Sequence, residues 1–294
     1  MSINLPTHYV QQFSTNVQLL LQQRGSKLRN LVLAGSHVGK QASPVDQFGA
    51  VTANKVTGRF NAMPRVDAAT DRRWVFPADY DLPQLIDTFD KLRLITDPQS
   101  AYVTNAVYAM GRAMDDEIID AFFGDAKTGE QGGTTTALPA AQKIAINFGA
   151  AGSVGLTVAK LREAKRLLMA AEVDLDSDPL TCVVTAKQHD NLLAEAQVVS
   201  TDFNDKPVLV EGRVTRFLGI NIVHCERLDV DASSDRLVPV YAKSGVYLGN
   251  WMEIHTSVSK RNDLQGEPWQ VYALGTFGAT RLEEKKVVQI TCDE

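Results

Sequence analysis

The chain has 294 residues, 44% hydrophobic and 22% charged, with a formal net charge of −5 at pH 7. That is ordinary for a soluble globular protein of one large domain or two small ones, and nothing in it matches the strongly basic face of a dedicated DNA reader. No run of eighteen apolar residues is present to form a transmembrane helix, and the N-terminus lacks the basic flank and apolar core of a secretory signal. Cys182, Cys225 and Cys292 are odd in number and far apart, so they are expected to be reduced structural thiols of a cytosolic protein. The charge is uneven: the first 45 residues hold Arg24, Lys27, Arg29 and Lys40 and no acid, which leaves about −9 on the remainder. A basic arm of this kind either is solvated or lies on an acidic surface, its own or a neighbour's.

In chain order, residues 6–24 carry Val10, Phe13, Val17, Leu20 and Leu21 at helical spacing, and Gly25 ends the pattern. An apolar stripe on a detached arm needs a partner. From Ala50 to Asp81 the pattern is a hairpin, with arms at 51–60 and 72–80 and a turn-rich tip around Pro64. Its charges are Lys55, Arg59, Arg65, Arg72 and Arg73 against Asp67 and Asp71, too polar to build a core alone. The segment Thr96–Gly124 is the spine. Asp97 and Pro98 read as N-cap and first turn, and Gly124 as a left-handed stop. Val103, Ala106, Val107, Met110, Ala113, Met114, Ile118, Ala121 and Phe122 lie on one stripe of a helix about 39 Å long. Gly111 and the small residues of the stripe leave room for a flat partner such as a sheet.

A Gly- and Thr-rich loop follows, then a short strand at 143–148 and a helix from 156 to 172 capped by Thr157. Residues 180–184 read as a buried strand, and Thr185 with Gln188 forms a capping box for a short helix. Strands are expected near 208–217 and 220–225, and the last sixty residues are strand-like throughout.

Two glycine-rich stretches invite a nucleotide-binding reading. AGSHVGKQ at 34–41 has only three residues between Gly35 and Gly39, and Gln41 stands where a magnesium-binding Ser or Thr belongs, so it reads as a flexible loop. The turn Gly149, Gly152, Gly155 lies between a strand and a helix but spaces its glycines as G-x-x-G-x-x-G. His8, His37, His189, His224 and His255 form no metal-ligating pair. Asp115, Asp116, Glu117 and Asp120 read as the solvated face of the spine. No nucleophile, base and orienting group come together, so no catalytic residue, cofactor or metal is expected.

The stretch Asp87–Thr135 resembles the spine-helix region of tailed-bacteriophage major capsid proteins. The matching positions are Asp97, Pro98, Tyr102, Arg112, Asp115 and the loop Gly124–Gly133, and a second match runs from TCVVTAKQHDNLL to VLVEGRVTRFLGINIVHCERL. The resemblance implies an α+β, Hong Kong 97-type capsid fold. Residues 1–49 would be the N-terminal arm and 50–81 an extended loop lapping a neighbour. Residues 82–179 and 236–294 would form the peripheral domain with spine helix 97–123, and 180–235 the axial domain. It implies a non-enzymatic shell subunit forming pentamers and hexamers around double-stranded DNA. Inter-subunit contacts would fall on Val10, Phe13, Val17, Leu20, Arg24, Arg59, Arg65, Arg72 and Arg73. Implied partners are further copies of the chain, a separate scaffolding protein, a portal and a decoration protein, with no membrane and no sequence-specific DNA contact. An in-chain scaffold and a crosslink through Lys55 are not expected. The alternatives are an encapsulin-type compartment and a nucleotide-binding enzyme built on Gly149–Gly155.

Overall fold

The computed structural model describes residues 21–40, 42–55, 58, 63, 65–86, 99–195, 198 and 212–294. The expected arm helix with Val10, Phe13, Val17 and Leu20, the Asp97–Pro98 cap, and Arg59 lie outside these residues. So do residues 208–211 of the strand expected at 208–217; of its described part only Arg216–Phe217 is strand, and 212–215 are not.

Fourteen strands and three α-helices are defined among the described residues. The strands are β1 (Leu33–Ser36), β2 (Ala42–Phe48), β3 (Thr70–Val75), β4 (Ala78–Ile86), β5 (Ala126–Thr128), β6 (Thr134–Thr136), β7 (Lys143–Ile144) and β8 (Leu180–Val184). They continue with β9 (Arg216–Phe217), β10 (Ile220–His224), β11 (Arg236–Ala242), β12 (Val246–Lys260), β13 (Trp269–Arg281) and β14 (Val287–Cys292). The helices are α1 (Gln99–Phe123), α2 (Val158–Ala170) and α3 (Ala186–Ala194). Contacts divide the chain into two compact units, one of residues 1–25, 79–112 and 254–275, the other of 26–78, 113–253 and 276–294.

The larger unit is built on a six-stranded sheet of order β7-β14-β11-β8-β10-β9. Strands β8 (LTCVV) and β14 (VVQITC) are buried almost throughout, every residue of β8 and all of β14 but Thr291. Helix α2 begins where Thr157 accepts from the Lys160 amide, and α3 begins with the capping box of Thr185 and Gln188. Both starts follow the sequence. The expected strand at 143–148 stops after Ile144, because Phe148 and Ala150 turn back to bond the carbonyls of Ala145 and Asn147.

A second sheet, β2-β3-β5-β6, holds the root of the hairpin. Its first arm is β2 at 42–48, not 51–60. Asp46 opposes Arg72 in register and bonds it, and Gly49 closes the ladder with the Ala69 carbonyl at 2.6 Å. The first arm thus lies one stretch earlier than expected, with Asp46 and Arg72 as one favourable cross-strand pair of its ladder. The second arm is divided after Val75 by Phe76-Pro77, since proline cannot donate to a ladder.

The residues taken for a flexible loop at 34–41 are also partly strand: β1 pairs in parallel with β12, Gly35 opposite Gly249. In the smaller unit the outer halves of β12 and β13 continue as a ribbon, with β4 next to β13; Tyr272 donates to Asp81 there.

Helix α1 spans 25 residues, about 37 Å. Of its stripe Ala106, Met110, Met114, Ile118 and Phe122 are buried, with Asp115 and Ile119 beside them, while Val103, Val107, Ala113 and Ala121 are only half-buried. Its stop differs from expectation. Gly124 does not adopt positive φ; it is needed because a Cβ there would stand 2.7 Å from the Asp120 carbonyl oxygen.

Gly278 on β13 meets a tighter limit, for a Cβ would lie 2.1 Å from the Phe76 backbone oxygen. Gly278→Ala must displace main chain, and is expected to cost about 1–3 kcal/mol. An unchanged urea midpoint would contradict that packing.

Candidate functional site

The residues following Gly25 are fastened to the larger unit by a carboxylate on α1. Asp115 is fully buried, contrary to the solvated face expected for it. Its Oδ1 accepts from Ser26 Oγ at 2.5 Å and from the Leu28 amide at 3.1 Å, and its Oδ2 accepts from the Lys27 amide at 2.9 Å. A buried carboxylate persists only when its lone pairs are taken up, and three donors from consecutive residues do that here. Leu28, fully buried, seals the contact. One turn earlier on α1 and within the smaller unit, Arg112 donates to Gln22 Oε1 at 2.8 Å and to the Gln23 carbonyl at 3.1 Å. Arg112 and Asp115, two of the positions that carry the resemblance, therefore both hold the incoming arm.

Beyond Leu28 the arm stays attached. Arg29 pairs with Glu253 at 2.5 Å, and Lys27 Nζ donates to the His224 carbonyl at 2.8 Å. These basic residues lie on the chain's own surface. His37 bonds Tyr247 at 2.7 Å and packs between Tyr247 and Trp251, at ring centroid distances of 5.6 and 5.4 Å. The paired glycines beneath are required. A Cβ on Gly35 would strike the Tyr247 hydroxyl, and one on Gly249 would come within 3.0 Å of Trp251.

The hairpin root is anchored differently. Arg73, expected as an inter-subunit contact, is 4% exposed and binds Glu284 at 2.8 Å within the chain. An arginine on a polar hairpin reads as a surface group; its partner, 211 residues on, could not be read from the hairpin. Glu284 also faces Arg281 at 3.8 Å, an ion pair too long for a hydrogen bond. Arg281, fully buried, donates to the carbonyls of Phe122 (3.0 Å), Gly124 (2.8 Å) and Thr136 (3.0 Å). It thus serves the orphan carbonyls and negative end of α1, joining spine, β6 and β13. Burial pulls its pKa below the ordinary arginine value, yet the group stays protonated.

The other expected contact residues are placed as follows. Arg24 is exposed. Arg65 is exposed and pairs with Asp67 at 3.0 Å. Arg72 pairs with Asp46 and lies 5.8 Å over the Trp74 ring. Around them Phe48 (75% exposed), Val51 (58%), Met63 (93%) and Val66 (49%) leave apolar surface uncovered in the single chain.

The acids of the spine do not assemble into a reactive pair. Asp116 is bound by Arg227. Asp120 is held above the ordinary carboxylate range first by burial and then by Asp116. At the turn Gly149–Gly155 the helix start is capped by Thr157, which accepts from the Lys160 amide, and a Cβ on Gly155 would collide with Asn191. Among the described residues no group of three His, Cys, Asp or Glu side chains is arranged for a metal ion, and no helix is long and apolar enough to cross a membrane. The three cysteines are buried thiols, that of Cys292 pushed up to about 12 by burial.

A family model described as "Phage capsid protein" matches residues 5–294. The curated proteins give no match. Among solved structures, the capsid of cyanophage P-SCSP1u superposes with a TM-score of 0.77 at 14% identity, over 98% of this chain and 94% of that one. The cyanophage Pam1 capsid asymmetric unit gives 0.73 at 15% identity, over 99% and 98%. A chain from Mycobacterium phage Che8 gives 0.71 at 14% identity, over 97% of each. Likeness at this identity shows the fold, and it is the Hong Kong 97-type capsid fold expected from the spine segment.

Proposed function

This chain belongs to the phage capsid protein family, and from that premise we propose that it is the repeating shell subunit, forming pentamers and hexamers that close around double-stranded DNA. It is a structural protein of the virion capsid, not an enzyme. The observation that carries the finer reading is the apolar surface at the hairpin. Phe48, Val51, Met63 and Val66 stand exposed on a root locked internally by Arg73 and Glu284. A rigidly rooted hairpin with uncovered apolar side chains is built to be covered by another molecule. In a shell of identical copies the cover is a neighbour, and head-to-tail contacts of that kind close into rings.

On this reading residues 1–49 act as the arm and 50–81 as the lapping loop. Residues 82–179 and 236–294 act as the peripheral domain, and 180–235 line the ring axis. Arg24, Arg65 and Arg72, all accessible on the single chain, remain candidates for contacts between subunits. A separate scaffolding protein, a portal and a decoration protein complete the particle, which assembles in the host cytoplasm. The mild net charge of −5 suits a wall that contains DNA without clamping it.

The test is negative-stain microscopy of the purified chain, alone and with a co-expressed scaffolding protein. Shells or rings are expected, and they should vanish when residues 51–66 are replaced by a short Gly-Ser linker. That replacement stops short of β3, so the subunit should keep its stability to within about 0.5 kcal/mol. Intact shells without 51–66 would overturn the hairpin's role, and cargo protein in place of DNA would overturn the contents.

A further inference from the structure

A cavity of about 810 Å3 lies between α3, β10 and the turn at 212–214, and the shell reading gives it no role. His189 projects from α3 beside it, and its Nε2 stands 3.1 Å from the Val214 backbone nitrogen. A main-chain N–H only donates, so the ring nitrogen facing it must be the unprotonated one, with the proton on Nδ1. This bond joins α3 to the turn, and Val214 is buried beneath it. The next residue, Thr215, is tied separately to β10 through the Ile222 amide at 2.9 Å.

We propose that His189 is an acid-sensitive latch: neutral, it holds the 212–214 turn against α3, and taking up a proton at Nε2 it releases that turn. Protonation turns the acceptor into a donor, leaving two N–H groups face to face. It also places a cation among cations. The described charged and titratable groups around the cavity are Arg213 on the turn, Lys27 from the arm, and His224 on β10, whose ring bonds Glu226 at 2.6 Å. Among the described residues Asp190, next to His189 on α3, is the one acid lining the cavity.

The balance of these groups agrees with the geometry. Burial, then His224 and Arg213, hold the His189 imidazole below its ordinary value, against an upward pull from Asp190. A base whose folded pKa is depressed contributes its full stability above its ordinary value of about 6.5, and that contribution is lost as pH falls through the folded value. The latch therefore opens on acidification and not on alkalinisation.

Hydrogen–deuterium exchange of the peptide carrying Val214, corrected for the intrinsic rate, tests this on the intact chain between pH 8 and pH 5. Protection should be constant above about pH 7 and fall by up to tenfold per pH unit below about 6.5. His189→Gln keeps a neutral acceptor and should remove the pH dependence, while His189→Leu should leave the peptide unprotected at every pH. Thermal melting at pH 8 establishes that each variant is folded. Flat protection in the unsubstituted chain would overturn the latch, and so would an unchanged acid response in His189→Gln. Neither result bears on shell formation, which is read separately.

Discussion

Replacing Glu284 with glutamine lowers the stability of the subunit by about 3–5 kcal/mol, the expected cost of removing one partner from a buried ion pair. For a chain of this size that is a fall of roughly 6–20 °C in melting temperature. Glu284 is the carboxylate that faces both Arg73 at 2.8 Å and Arg281 at 3.8 Å, and the side chains of those arginines are 5% and 0% exposed. The amide can still accept a hydrogen bond but carries no charge, so two guanidiniums remain in a poorly solvated interior. Arg281 would keep its three carbonyl acceptors on Phe122, Gly124 and Thr136, and Arg73 would lose most, its remaining bond being to Gln47 at 3.3 Å. A double-mutant cycle separates the pairs. If Arg73 is the main partner, Arg73→Met should cost much less in the Glu284→Gln background than alone. Additive effects, or an unchanged melting temperature in Glu284→Gln, would show that the cluster is not the anchor of the hairpin root.

Replacing Asp115 with alanine frees the arm while leaving the rest of the larger unit folded. Three donors, Ser26 Oγ and the amides of Lys27 and Leu28, lose their only shared acceptor, and Leu28 loses the contact that keeps it buried. Hydrogen bonds to a charged group contribute about 1.5–3 kcal/mol each, not additively, so a loss of about 3 kcal/mol in local stability is expected. Trypsin reads this directly, because it cleaves after Lys27. When opening is fast relative to cleavage, 3 kcal/mol corresponds to cutting about a hundredfold faster. Asp115→Asn keeps one acceptor oxygen and should fall between. Equal cleavage rates at Lys27 in all three chains would contradict the clasp. On the proposed function the alanine variant should also fail to assemble, since an arm that cannot reach a fixed exit point cannot reach a fixed neighbour.

Much of the architecture could be read from residue order because it rests on local physics. The stripe of α1, the Thr157 cap, the Thr185–Gln188 box and the buried strand at 180–184 are set within a few residues. The structure reproduces each of them. The hairpin's first arm lies at 42–48 because its ladder partners on β3, Asp46 opposite Arg72 among them, are set by pairing between strands and not within one. Asp115 had one legible sign. It is the next turn after Gly111 on a line that continues to Ile119, so an acid stands where the pattern calls for burial.

Residue order alone establishes that a long small-residue helix is flanked by strands and that a basic arm precedes a polar hairpin. All of that follows from spacing, capping and composition. Only the tertiary structure decided which charges leave the surface. Arg73, Arg281, Glu284 and Asp115 have partners up to 211 residues away, and a polar side chain reveals nothing of its burial until its distant donor or acceptor is in place. That is why Arg73 moved from the expected contact surface into the interior, and why the acid of the spine became the holder of the arm.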